Sequence, residues 1–137
     1  MSLQTRLSSL ITVLGADFKL KTVPIVFSVP GALTTRTGVL KVQMLGSGTL
    51  VAVKGWLQTP ATGGTTFKVD VNKNDVTIYT TQGNRPTWVA SANAATVLAH
   101  QVTTFVDNDR LSLDIDAVGN TVAGSDLTVT VYILRTA

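Results

Sequence analysis

The chain predicts a mainly β protein, an antiparallel, jelly-roll-like β-sandwich led by one short α-helix. Three observations carry this expectation. Leu3, Leu7, Leu10 and Leu14 recur at four-three-four spacing with Ile11 beside them, which is a helical stripe. From Pro24 onward, apolar and polar residues alternate in short runs. Glycine, proline, asparagine and aspartate separate those runs at the spacing of turns in an all-β domain.

The leading helix is expected from Ser2, an N-cap residue, to Leu14, with Gly15 as the left-handed residue that leaves it. A 3.5-residue repeat confines the leucines to a narrow seam suited to partner helices. About 13 residues are too few for a stable isolated helix. The stripe therefore meets either the protein's own sheet or copies of itself, and Leu3, Leu7, Leu10, Ile11 and Leu14 are assigned to an oligomerisation seam.

In the β region, Ile25, Phe27 and Val29 share one face before the Pro30-Gly31 turn. Leu40, Val42 and Met44 point inward against Lys41 and Gln43, and Gly46-Ser47-Gly48 leads into a strand from Thr49 to Leu57. Phe67, Val69 and Val71 are followed by a hairpin through Asn72-Lys73-Asn74-Asp75 into Val76–Thr81. Thr87–Ser91 is a short strand, and 96–105 reads as a longer one, with a short helix at 92–95 the alternative. Leu111, Leu113 and Ile115 alternate without fault against Ser112, Asp114 and Asp116. Leu127, Val129, Val131 and Ile133 form the last inward set.

With 137 residues the chain suits one domain, divided here into an oligomerisation or anchoring helix at 1–20 and a sandwich at 21–137. Only 14% of residues are charged, against about 25% in typical domains, while 45% are hydrophobic and mean hydropathy is positive. Such a surface is covered by Thr, Ser, Asn, Gln and Gly or hidden against neighbours. No run reaches the roughly 18 apolar residues of a membrane span, and the polar residues among the first nine do not suit a signal peptide. The absence of cysteine excludes disulfides and thiolate metal sites. Eleven Lys and Arg against eight Asp and no Glu give a net charge of +3. The basic residues are scattered among the acids, so no nucleic-acid-binding stripe forms.

Catalytic and metal chemistry find little support. His100, the single histidine, has no acid-base partner near it in sequence, and no serine sits on a Gly-x-Ser-x-Gly turn. Asp107, Asn108, Asp109, Asp114 and Asp116 have calcium-binding chemistry but lack the glycine and terminal glutamate of a calcium loop. They read as a solvated turn and an outward strand face, with no metal and no cofactor assigned. Trp56, Trp88, Tyr79 and Tyr132 form either a stacking platform or, for the tryptophans, core filling with the tyrosines rimming an interface. Two loops are candidate receptor contacts, Thr59–Thr65 and Gln82–Trp88. In the second, Arg85 offers a planar donor fork and Trp88 a stacking face, with turn scaffolding set by Gly83 and Pro86 as the competing reading.

The leader Leu3-Gln4-Thr5-Arg6-Leu7 through Leu14-Gly15-Ala16-Asp17-Phe18-Lys19 resembles the helix that precedes β domains in tailed-bacteriophage fibre and minor tail proteins. Lys68-Val69-Asp70-Val71-Asn72-Lys73-Asn74, the Asn84-Arg85-Pro86 turn and Asp109-Arg110-Leu111-Ser112-Leu113-Asp114-Ile115-Asp116 resemble a sandwich domain of phage virion proteins. Asn108 stands where that pattern tends to carry glycine. The resemblance implies a non-enzymatic virion component, a homotrimer exposed on the particle as a tail-tip or fibre appendage or as a capsid decoration. It also implies other virion proteins as partners; a host-surface or glycan-binding module, with a cell-surface glycan as its partner, is the second reading.

Overall fold

The computed structural model describes the backbone of residues 1–19 and 22–136 and the side chains of residues 1–12 and 22–136. It is mainly β, with one N-terminal helix and two antiparallel sheets. Helix α1 spans Leu3–Lys19. The Ser2 hydroxyl accepts the Thr5 amide at 3.2 Å, the N-cap arrangement expected of that residue. Gly15 does not end the helix, contrary to its expected role, and α1 continues four residues past it. A helical glycine costs about 1 kcal/mol relative to alanine but leaves the backbone ladder intact. The expected boundary at residues 20 and 21 lies outside the described residues.

The strands are β1 (Thr22–Ala32), β2 (Arg36–Gln43), β3 (Gly48–Thr59), β4 (Phe67–Lys73), β5 (Val76–Thr77), β6 (Thr87–Trp88), β7 (Thr104–Phe105), β8 (Arg110–Ala117) and β9 (Ser125–Arg135). One sheet has the order β1-β9-β3-β7 and the other β2-β8-β4-β5, with β6 also pairing β4. From β1 to β4 the long strands therefore alternate between sheets along the chain, whereas β8 pairs with β4 in the second sheet before β9 returns to the first. Their inward residues meet in one core, with Phe27, Leu57, Val129 and Val131 from the first sheet and Phe67, Val69, Val71, Leu113 and Ile115 from the second.

Local chemistry fixes several of these paths. Asn74 and Asp75 both have positive φ between the paired residues Lys73 and Val76, the two-residue turn that matches strand twist. In β3 the register with β9 slips between Leu50 and Ala52. Before this bulge Gly48 and Leu50 point inward, and after it Val53, Gly55 and Leu57 do. Pro24 and Pro30 lie in β1, at the margin of its sheet, where a missing N–H is tolerated.

The expected long strand over 96–105 is not formed; only Thr104–Phe105 is strand. Its hydrogen bonds are divided among neighbours instead. Thr96 exchanges bonds with Thr87, the amides of Gln101 and Val102 donate to the Ile78 carbonyl, and the Thr103 carbonyl accepts from Leu50. A segment shared in this way between both sheets cannot hold a straight ladder with either.

Candidate functional site

Two surfaces and one polar network emerge from this framework. The first surface is the stripe on α1. Leu3, Leu7, Leu10 and Ile11 are 82%, 53%, 54% and 60% exposed, so they do not pack on the protein's own sheet. The side chain of Leu14 lies outside the described residues. The polar side chains of residues 1–12 are also exposed, and Thr12 turns its hydroxyl back to the Ser8 carbonyl at 2.9 Å.

Arg85 and Trp88 are not free receptor contacts. Trp88 is fully buried. Its ring meets Phe67 edge-on at a centroid distance of 5.0 Å, and its Nε1 donates to the Asn93 carbonyl at 2.8 Å. Arg85 pairs with Asp116 at 2.6 Å and returns its Nε to the Gln82 carbonyl. Both side chains are held by the fold because a two-residue β6 directs Trp88 into the core while Arg85 lies over β8. The other candidate loop, Thr59–Thr65, is zipped to the 119–122 turn through bonds between Thr62 and both Thr121 and Val122.

The polar network covers the outer face of the second sheet. Asp70 stands opposite Asp114, with Asp116 two residues farther along β8. Burial pushes the Asp70 carboxyl up from its ordinary value, and the Thr77 hydroxyl, donating at 2.8 Å, offsets part of this. Burial also raises Asp116, against the opposing pull of Arg85 and with a further push from Asp114. Asp114 accepts from the Gly38 amide and from Asn72 Nδ2 at 2.8 Å. Tyr79 was expected at a rim, opposite Ile78, yet both are buried, and burial beside Asp70 raises the phenol. Thr77 causes the change: its hydroxyl accepts the Tyr79 amide at 3.0 Å and turns the chain out of the strand.

The turn acids are spent on structure. Asp107 accepts from the Gly46 amide at 2.7 Å. Asp109 is largely shielded from water, which disfavours its charge. Bonds from the Val106 amide, Asn74 and Lys73 outweigh that and hold its carboxyl below the ordinary value. Among the described residues, no three His, Asp or Glu converge as a metal site would require. His100 lines a small groove with Val51–Val53 and Val97–Ala99.

The second surface holds Trp56, one of the four aromatic residues considered for a stacking platform; Trp88 and Tyr79 are buried away from it. Trp56 is 50% exposed on the outer face of β3, while Trp88 fills the core. With Lys54, Ala94, Ala95, Val97, Thr128 and Thr130 it lines an open groove of about 490 Å³. The floor is β3 and β9, where Lys54 stands opposite Thr130 and Trp56 opposite Thr128. The wall is residues 93–97, bonded to the margin of β3 through Ala95 to the Gly55 carbonyl and Leu57 to the Asn93 carbonyl. Lys54 Nζ lies 6.0 Å from the Tyr132 ring centroid. The signal was available in the alternation: with Leu57 inward, Trp56 must face out.

Scanned against family models, curated proteins and solved structures, the chain finds no match.

Proposed function

We propose that this protein is a non-enzymatic structural component of a tailed-phage virion, assembled through α1 as a homotrimer and displayed on the particle surface as a tail-tip or fibre appendage. The observation that supports it is the helix. Its first three turns present four large apolar side chains to solvent while the sandwich behind them has a complete core of its own. Burying what each still exposes is worth about 1–2 kcal/mol, so roughly 5 kcal/mol per helix becomes available on association. That stabilisation offsets the cost of ordering the helix, since helical stability in proteins comes mainly from packing an apolar face.

The phage assignment and the threefold order come from the resemblance of the leader and strand motifs. The heptad pattern itself does not choose among two, three and four helices. The proposed partners are copies of the chain, other virion proteins and a host-surface glycan. Support for a non-enzymatic role comes from the acids, which serve turns, backbone amides and ion pairs.

Sedimentation equilibrium tests the assembly. The wild type is expected at three chains per particle at micromolar concentration, and a Leu7→Asp, Leu10→Asp variant as a folded monomer with unchanged near-ultraviolet circular dichroism. A wild type that stays monomeric overturns the seam. Immunogold labelling of purified particles tests location: label at the tail tip supports the appendage reading, label over the head transfers it to capsid decoration, and unlabelled particles overturn both.

A further inference from the structure

We infer that the Trp56 groove is a binding site for an acidic saccharide, with the indole stacking on a sugar ring and Lys54 pairing with the sugar's carboxylate. The inference rests on the groove alone and does not require the helix to assemble.

Three features point to this ligand class. A half-exposed indole beside an open groove presents a flat apolar face without the depth that would enclose a wholly apolar molecule. Pyranose rings, with one apolar face and a rim of hydroxyls, have that shape. Thr128 and Thr130 place two hydroxyls on the floor, and among the described residues neither is engaged by another side chain of the protein. These suit a ligand rich in both donors and acceptors.

Charge decides the subclass. The outward positions of the surrounding rungs are Pro24, Val26 and Ser28 on β1, Thr128, Thr130 and Tyr132 on β9, and Ala52, Lys54 and Trp56 on β3. These nine residues include one cation and no acid. Lys54 has no carboxylate partner among the described residues. The next outward residue on β9, Asp126, lies at the sheet's end. Its oxygens are taken by the Gly31 amide and the Ser125 hydroxyl, both at 2.8 Å.

The test is isothermal titration calorimetry of the full chain with trigalacturonate and, as its uncharged counterpart, maltotriose. Trigalacturonate is expected to bind saturably in the millimolar range or tighter. Trp56→Ala is expected to abolish binding, and Lys54→Met to weaken it about threefold, the worth of one exposed ion pair, leaving any maltotriose affinity unchanged. Tryptophan emission excited at about 295 nm should change on binding, because Trp88 is shielded and Trp56 is not. Absence of saturable binding by the wild type overturns the inference, as does equal binding by a folded Trp56→Ala variant. If Trp56→Ala instead lowers the sedimenting mass while trigalacturonate leaves wild-type emission unchanged, the groove is covered by a second copy and the inference also fails. Thr128→Val, which leaves the indole in place, supplies a second check should Trp56→Ala not fold: loss of affinity without loss of thermal stability is expected.

Discussion

Gly55 is the contact point between the two sheets at Trp88, and adding a single methyl group there should be costly. A β-carbon on Gly55 would lie 2.4 Å from Cζ2 and 2.6 Å from Cη2 of Trp88, and 3.2 Å from the Ala95 β-carbon. Ordinary carbon contacts are about 3.5–4.0 Å, so the ring must retreat by roughly 1 Å or β3 must bow outward. The ring has little room to move, being fixed by its edge contact with Phe67 and its 2.8 Å bond to the Asn93 carbonyl. Overpacking of this kind costs about 1–3 kcal/mol, and loss of the buried indole bond adds about 1 kcal/mol. Gly55→Ala is therefore expected to destabilise by roughly 2–4 kcal/mol, a melting-point drop of about 6–12 °C for a domain of this size. Thermal melts followed by circular dichroism measure it. Trp88→Phe, which removes the outer ring atoms that clash, should recover part of the loss in a double-mutant cycle. A Gly55→Ala protein that melts within about 1 °C of wild type would refute this account of the inter-sheet packing.

Asp70 gives a pH prediction with a definite sign. Its folded carboxyl titrates above its unfolded value, so the folded state holds the proton more tightly. The stability this supplies is fully present below the unfolded value of 3.8 and is lost as pH rises through the folded one. Asp70→Asn, which keeps an acceptor for Thr77, should raise the urea midpoint at pH 7 and leave it nearly unchanged at pH 3. Asp109 has the opposite sign, since its folded carboxyl is lowered and its contribution is present above 3.8 and lost as pH falls through the folded value. Asp109→Ala, which strands the Val106 amide and Lys73, should cost about 2 kcal/mol at pH 7 and less in acid, as read by chemical denaturation at both pH values.

Much of the fold was legible because alternation is strict where a strand has one buried and one open face. Leu111, Leu113 and Ile115 of β8 and Leu127, Val129, Val131 and Ile133 of β9 are buried as expected. The same rule misled at 96–105, where apolar residues cover a margin rather than occupying one rung after another. It also misled at Tyr79, where a hydroxyl-to-amide bond ended the strand two residues after it began. The candidate site was less legible. Arg85 and Trp88 sit in a turn with binding chemistry, but tertiary partners at long sequence separation, Asp116 and Phe67, claim them. Trp56 was readable from parity with Leu57. The wall beside it was not, because nothing local to residues 93–97 indicates that they lie along β3.

That wall and its continuation have a consequence for how the molecule opens. At a sheet margin, the amides of Leu50 and Leu57 would ordinarily exchange their protons with solvent through small, frequent fluctuations. Here they are capped by the carbonyls of Thr103 and Asn93, on a chain segment that also pairs with Thr87 of the other sheet. Exposing either proton requires lifting a length of chain that both sheets hold. Slow exchange should therefore extend to this margin, and a single proteolytic cut between Leu98 and Gln101 should convert it to fast exchange without severing any strand.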